Sequence, residues 1–73
     1  MYQLDNFGKR LKSLRLKTGL SQEHLAFYAG TCTKEISNIE RGKGNPTLLS
    51  IVSLAEALGK EPYELLMEES ENE

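Results

Sequence analysis

Hydrogen-bond donors recur at helical spacing between residues 33 and 41. On a helical wheel they form one face that holds two cations and no carboxylate, while Ile36 and Ile39 fall on the opposite side. Lysine pairs well with guanine, asparagine with adenine, and threonine with phosphates or the thymine methyl group. The pattern fits either the reading of base edges or the solvated side of an ordinary surface helix. The donor face comprises Thr33, Lys34, Ser37, Asn38 and Arg41.

Polar and basic residues flank this donor face, and they favour the first interpretation. Ser21 and Gln22 begin the preceding predicted helix, where free N–H groups and the helix dipole attract a phosphate. Arg41, Lys43 and Asn45 lie in a glycine-rich loop, whose backbone N–H groups we expect to approach a phosphate closely. The first helix is basic as well, with Lys9, Arg10, Lys12, Arg15 and Lys17.

The net charge of −2 conceals a division along the 73 residues. Residues 1–60 hold all nine basic residues and five acidic ones, whereas residues 61–73 hold six glutamates and no base. Binding to a charged partner follows the local field rather than the total charge. The acidic end therefore either adds solubility or shields the basic face. We predict a folded domain over residues 1–68 and a disordered tail over residues 69–73.

The composition argues against most catalytic and metal sites. The chain has one Cys and one His, whereas a zinc site ordinarily needs three or four His, Cys or carboxylate ligands. A Ser-His-acid triad would depend on His24 and on a pocket that so small a domain can hardly enclose. We therefore expect no enzyme, no metal, no cofactor and no small-molecule ligand. The lack of a possible internal disulfide predicts a cytoplasmic location, and the short apolar runs predict no membrane span.

Proline and glycine divide the chain into five helix-sized segments, and no β-branched run alternates as a strand would. Gly8 is the one glycine that falls inside a predicted helix. Helices 2 and 3 meet across a short turn centred on Gly30, which is the helix-turn-helix arrangement. The predicted helices run from after Asp5 or Asn6 to Thr18, from Ser21 to Gly30, from about Thr33 to Glu40, from about Thr47 to Leu58, and from Pro62 onward.

Two motifs bracket the predicted helix-turn-helix. Residues 19–26 read Gly-Leu-Ser-Gln-Glu-His-Leu-Ala, and residues 36–42 read Ile-Ser-Asn-Ile-Glu-Arg-Gly. Together with residues 7–15 and 46–59, they resemble the helix-turn-helix domain shared by lambdoid phage repressors, Cro and the Xre-type regulators. The resemblance covers residues 7–66. Among short members, the chain is similar to controller proteins of restriction–modification systems, small Cro-like repressors and single-domain antitoxins.

The resemblance implies an all-α, five-helix, lambda-repressor-like fold that binds DNA through helix 3 as a two-fold dimer. Arg15 and Glu40 match a partly buried ion pair between helices 1 and 3, so we interpret both as structural. The residues expected to contact bases are Thr33, Lys34, Ser37 and Asn38. Those expected to contact phosphates are Ser21, Gln22, Cys32, Arg41, Lys43 and Asn45. The dimer interface is expected at Leu49, Tyr63, Leu66 and Met67.

Two functions from different classes follow. The first is a sequence-specific transcriptional regulator that acts as a homodimer on an inverted-repeat operator and controls its own gene. The second is an antitoxin-type interaction module that neutralises a protein partner and binds DNA secondarily. In the second, the exposed surface would include Phe27 and Tyr28, which replace residues that are usually polar in the family, and the acidic tail. If neighbouring side chains cover Phe27 and Tyr28, that argument for a protein partner weakens.

Overall fold

The computed structural model describes residues 4–67, which form five helices and contain no strand. The predicted all-α, five-helix fold is therefore confirmed. The tail predicted over residues 69–73, and the domain boundary at residue 68, lie outside the described residues. The helices are α1 (Leu4–Thr18), α2 (Gln22–Ala29), α3 (Thr33–Glu40), α4 (Leu48–Leu58) and α5 (Pro62–Leu65).

Local capping explains where α2 and α4 begin and end. The Ser21 hydroxyl accepts the N–H of His24 at 3.0 Å, so Ser21 caps the N-terminus of α2. Thr47 caps α4 in the same way. The two helices end at Gly30 and Gly59, whose φ values of 74° and 70° lie in the left-handed region that glycine adopts without strain. These boundaries follow directly from the sequence.

The start of α1 differs from its prediction. The helix begins at Leu4, so Asp5 and Asn6 both lie within its first turn rather than before it. Acidic residues are favoured in the first turn as well as at the cap, because both positions face the positive end of the helix dipole. An Asp-Asn pair therefore marks the neighbourhood of a helix start without fixing the residue.

One apolar cluster joins all five helices. α2 packs against α3 and α4, α1 packs against α3, and α4 packs against α5. The position of α3 is therefore set by α1 and α2 together. The buried apolar side chains are Phe7, Leu11, Leu14, Leu25, Ala26, Ile36, Ile39, Leu54, Ala55, Leu58 and Leu65.

Gly8 is the point of closest approach between α1 and α3. A Cβ at this position would collide with the backbone oxygen of Ile39 and would lie 2.9 Å from that of Glu40. Both oxygens belong to the last turn of α3, so neither can rotate away as a side-chain atom could. The glycine is thus explained by backbone contact between two helices.

The short helix α5 is tied to α1. The Arg10 side chain is buried, and its Nε donates to the backbone oxygen of Glu64 at 2.8 Å. Leu65 is fully buried in the core. At the start of the helix, the Glu64 carboxylate accepts the N–H of Glu61 at 3.0 Å. A helix of four residues has no stability of its own, so these contacts hold it in place.

Candidate nucleic-acid interface

A three-residue turn joins α2 to α3. The N–H of Thr31 donates to Ala26 O at 2.9 Å, and that of Gly30 donates to Phe27 O at 3.3 Å. Cys32 then returns to extended backbone and forms the N-cap of α3. Because backbone hydrogen bonds close the turn and both helices bury apolar side chains, α2 and α3 form one rigid unit.

The polar face of α3 points away from the core. Ile36 and Ile39 are buried and anchor the helix. Thr33 and Lys34 are exposed, whereas Ser37 and Asn38 are half-buried. The structure therefore brings together, on one accessible helix face, the four residues that we expect to contact bases.

The carboxylate of Glu40 accepts hydrogen bonds from two side chains and thereby links α2 and α3 to α1. Arg15 Nε donates to Glu40 Oε2 at 2.6 Å, and Arg15 Nη2 donates to Glu40 Oε1 at 3.1 Å. The side chains of this ion pair are only 9% and 4% exposed. Gln22 Nε2 donates to the same Oε1 at 3.0 Å. Glu40 thus links α1, α2 and α3, and it fixes the side chain of a residue that we expect at a phosphate.

Burial divides the basic residues of α1 into two groups. Arg10 and Arg15 are 5% and 7% exposed, and both are engaged within the protein. Arg10 and Arg15 are therefore structural and add little charge to a DNA-facing surface. By sequence alone, both count among the five basic residues of α1. The exposed cations of this helix are Lys9, Lys12 and Lys17.

The loop after α3 uses its backbone differently from our expectation. The N–H groups of Lys43 and Gly44 donate to the backbone oxygen of Asn38, at 2.9 and 3.1 Å. They are consequently occupied within the chain, and the expectation that they approach a phosphate is wrong. The side chains of Arg41, Lys43 and Asn45 are exposed, so a phosphate contact from this loop would depend on them.

Two further residues of the expected phosphate-contacting set lie at helix N-termini. Ser21 is exposed, and its hydroxyl also lies 3.1 Å from His24 Nδ1. Cys32 is exposed and makes no side-chain hydrogen bond as the cap of α3. Both side chains are accessible, and their contacts with DNA stay predictions.

The residues expected at a dimer interface are all exposed, but they occupy two places. Tyr63, Leu66 and Met67, on α5 and just after it, are 64%, 44% and 39% exposed. Leu49 is 74% exposed in the first turn of α4. It borders a cleft against the α2–α3 turn that Thr31 and Glu35 also line.

One feature of the surface escaped the sequence analysis, and one alternative that the sequence left open is decided by the structure. Arg41 Nη2 donates to Asn38 Oδ1 at 2.7 Å, which joins a loop residue to a base-reading candidate. Phe27 and Tyr28 are 79% and 62% exposed, so neighbouring side chains do not cover them. Their rings meet edge to face at a centroid distance of 5.6 Å. The three-residue spacing of Asn38 and Arg41 was the available signal for the first feature.

Neither a metal site nor a membrane span appears in the part of the chain that the structure describes. Residues 4–67 contain no group of three or more His, Cys, Asp or Glu side chains placed to hold a metal ion. Within the same residues, no helix combines the length and apolar character needed to cross a bilayer.

The fold and the site define a class of protein. Five helices with a tight α2–α3 corner, and a donor-rich face on the second helix of that corner, form a helix-turn-helix DNA-binding domain. The chain belongs to the family described as Helix-turn-helix, whose model matches residues 11–65. The family resemblance drawn from the sequence is thereby confirmed. The protein is a DNA-binding transcription regulator of the Xre type.

Individual relatives agree with this assignment. The chain is 43% identical over 61 residues to Control protein C.BamHI of Bacillus amyloliquefaciens, covering 82% of this chain and 75% of that protein. It is 46% identical over 65 residues to the HTH-type transcriptional repressor RghR of Bacillus subtilis (strain 168). That match covers 88% of this chain but 47% of RghR. These relatives are regulators, which bears out the expectation that the chain is not an enzyme.

A solved structure extends the similarity to three dimensions. The restriction-modification controller protein C.AhdI from Aeromonas hydrophila superposes with a TM-score of 0.84 at 48% sequence identity. The superposition covers 85% of this chain and 94% of that one. The chain thus resembles a controller protein of this architecture over most of the length of both chains.

Proposed function

We propose that the chain is a sequence-specific transcription regulator that binds an inverted-repeat operator as a homodimer. The observation that carries the proposal is the accessible polar face of α3, anchored from behind by Ile36 and Ile39. One recognition helix reads only a few base pairs. Helix-turn-helix dimers gain specificity because they present two such helices about 34 Å apart, one helical turn along the DNA.

In this proposal, α3 enters the major groove and two sets of residues divide the work. Bases are read by Thr33, Lys34, Ser37 and Asn38. Phosphates are contacted by Ser21, Gln22, Cys32, Arg41, Lys43 and Asn45. The phosphate contacts set the position of the protein along the duplex, and the base contacts supply the sequence specificity.

The relatives support a particular kind of regulation. C.BamHI is a control protein, C.AhdI is a restriction-modification controller protein, and RghR is a transcriptional repressor. We therefore propose a repressor or controller that acts on its own promoter, in the cytoplasm where the chromosome lies. DNA from upstream of its own gene is the first operator to test.

Fluorescence anisotropy tests the proposed function directly. The protein is titrated into labelled DNA from upstream of its own gene and into a scrambled duplex, at two salt concentrations. We expect a preference of about 10³ or more for the upstream DNA. Both affinities should fall as salt rises. The lysine and arginine side chains that contact phosphates displace counterions from the duplex, and this release becomes less favourable at higher salt. Equal and weak binding to both duplexes would contradict an autoregulatory function.

Asn38→Ala is expected to weaken binding to the operator by about 1–3 kcal/mol, because a base-edge contact is lost. Binding to the scrambled duplex should change little, since Asn38 carries no charge. The same anisotropy titration measures both. An equal loss on the two duplexes would remove Asn38 from the base-reading set.

Lys43→Ala is the matched comparison, because it changes an exposed loop residue that we expect at a phosphate. The variant should weaken binding to both duplexes alike. It should also reduce the steepness of log affinity against log salt by about 1, because one phosphate contact is lost. A loss confined to the operator would instead make Lys43 a base contact.

Sedimentation tests the dimer. At tens of micromolar we expect a dimer, which Tyr63→Glu should convert to a monomer because the side chain is exposed in the proposed interface. Leu16→Glu is the control, since this exposed leucine on α1 lies outside the proposed set. A wild-type monomer that still binds its operator without cooperativity would overturn the homodimer.

A second candidate function is neutralisation of a protein partner. The observation that favours it is the exposure of Phe27 and Tyr28, two adjacent aromatic side chains outside the polar face of α3. Co-purification of a second chain from the native source, lost on Phe27→Ser with DNA affinity unchanged, would support it. Purification of the protein alone, with full operator affinity, would leave DNA binding as its main activity.

A further inference from the structure

The Arg41 guanidinium determines which way the amide of Asn38 faces. Arg41 Nη2 lies 2.7 Å from Asn38 Oδ1, a short hydrogen bond with a charged donor. Guanidinium groups donate and never accept. The amide atom that faces Arg41 must therefore be the oxygen, and the Nδ2 group must face the other way.

The backbone around Asn38 holds both partners in place. The Asn38 carbonyl oxygen accepts the N–H groups of Arg41, Lys43 and Gly44, at 3.2, 2.9 and 3.1 Å. Gly44 packs so closely on α3 that a Cβ there would lie 2.8 Å from Ile39 Cγ1. The loop consequently wraps around the end of α3, and the Cα of Arg41 stays within one turn of Asn38.

Glu40 does not compete for the Arg41 guanidinium. It is the neighbour of Arg41 in sequence, but its two carboxylate oxygens already accept from Arg15 and Gln22. The buried ion pair therefore directs Glu40 inward and leaves Arg41 on the exposed side with Asn38.

These contacts change what Asn38 can read. A free asparagine recognises adenine because Oδ1 accepts from N6 while Nδ2 donates to N7. Here Oδ1 lies against a cation, and an adenine N6–H brought to the same oxygen would approach that cation. The Nδ2 group, which faces away from Arg41, can only donate. A donor group with a cation beside its amide oxygen matches guanine, which presents N7 and O6 as acceptors and no donor in the major groove.

We propose that Arg41 is a positioning residue that sets the base specificity of Asn38 to guanine, and that without Arg41 the same asparagine prefers adenine. This inference rests on the proposed function, because it requires α3 to lie in the major groove. It replaces the phosphate contact proposed above for Arg41, and the adenine preference that the sequence predicts for Asn38.

The experiment measures base preference at every operator position. Sites are selected from random duplexes with the wild-type protein, and each position is then replaced by all four base pairs in anisotropy titrations. The proteins compared are wild type, Arg41→Met, Asn38→Ala and the double variant. Methionine keeps an unbranched, flexible side chain and removes the charge and donors of arginine. Thermal unfolding of each variant verifies the fold, which should be intact because Arg41 is exposed.

The expected result is a switch at one position in each half-site. The wild-type protein should prefer guanine there by about tenfold, the lower part of the range for a good base contact. Arg41→Met should favour adenine at that same position. Asn38→Ala should abolish the preference, and Arg41→Met should then have no further effect on it.

Three results would overturn the inference. If Arg41→Met weakens all sequences alike and leaves every base preference unchanged, Arg41 contacts a phosphate only. If Arg41→Met and Asn38→Ala alter different positions, Arg41 reads a base of its own. If the wild-type protein selects no sequence, the proposed function fails as well. Selection of a defined site with either of the first two results would leave the proposed function standing.

Discussion

Glu40→Gln is expected to destabilise the protein by about 3 kcal/mol, the lower end of the range for breaking a buried ion pair. The variant keeps the volume of the side chain, so no cavity forms. It replaces one of two carboxylate oxygens by an NH₂ group, and both oxygens accept hydrogen bonds here. Whichever way the new amide turns, its NH₂ group faces an Arg15 donor, because Arg15 donates to both oxygens. The Arg15 charge is left buried without its counter-ion.

Chemical denaturation of the wild-type protein and the variant measures this loss. In a domain of this size, each kcal/mol lowers the melting temperature by about 4–8 °C. The double variant Arg15→Met, Glu40→Met removes both charges, and it should recover much of the stability because apolar replacements of a buried pair are often neutral. A cost below about 1 kcal/mol for Glu40→Gln, typical of an exposed pair, would contradict the structural role.

Gly8→Ala gives the second large effect, and its sign is informative. An alanine inside a helix is ordinarily more stable than a glycine by about 1 kcal/mol. At Gly8, however, the added Cβ would collide with the backbone of α3, at Ile39 and Glu40. Overpacking of this kind costs about 1–3 kcal/mol or more. We expect the upper end of that range, because helices must separate to relieve the contact.

The Gly8→Ala measurement is an unfolding curve, with Lys12→Ala as its control on the exposed side of the same helix. The control should stay within about 0.5 kcal/mol of wild type, as surface substitutions usually do. Operator binding of Gly8→Ala should weaken too, since α1 sets the position of α3. A variant more stable than wild type would mean that α1 and α3 do not approach as closely as described.

Much of the fold was predictable because its boundaries depend on local chemistry. Ser21 and Thr47 cap helices through their own hydroxyls, and Gly30 and Gly59 end them in the left-handed conformation. Such signals act over three or four residues, so the sequence displays them. The spacing of Ile36 and Ile39 also predicted the buried side of α3, and with it the accessible donor face.

The remaining features depend on distances between residues far apart in sequence. Arg10 and Arg15 count as basic residues of α1 in the sequence, yet tertiary packing buries both. Gly8 differs from an ordinary helical glycine only because α3 crosses it. The N–H groups of Lys43 and Gly44 would suit a phosphate in an open loop, but the loop folds back on α3. None of these facts has a local sequence signal.

The hydrogen bond from Arg10 to the Glu64 carbonyl has a consequence for the spacing of operator half-sites. In the proposed dimer, α5 forms the contact between subunits. Arg10 and Arg15 lie five residues apart on α1, a rise of about 7.5 Å, and one holds α5 while the other holds α3. In each monomer, α1 therefore contacts both the proposed dimer helix α5 and the recognition helix α3. The distance between the two recognition helices of the dimer then depends on the fold of each monomer. An operator with one base pair added between its half-sites, which shifts them by about 3.4 Å and rotates them about the duplex, would no longer match both helices at once.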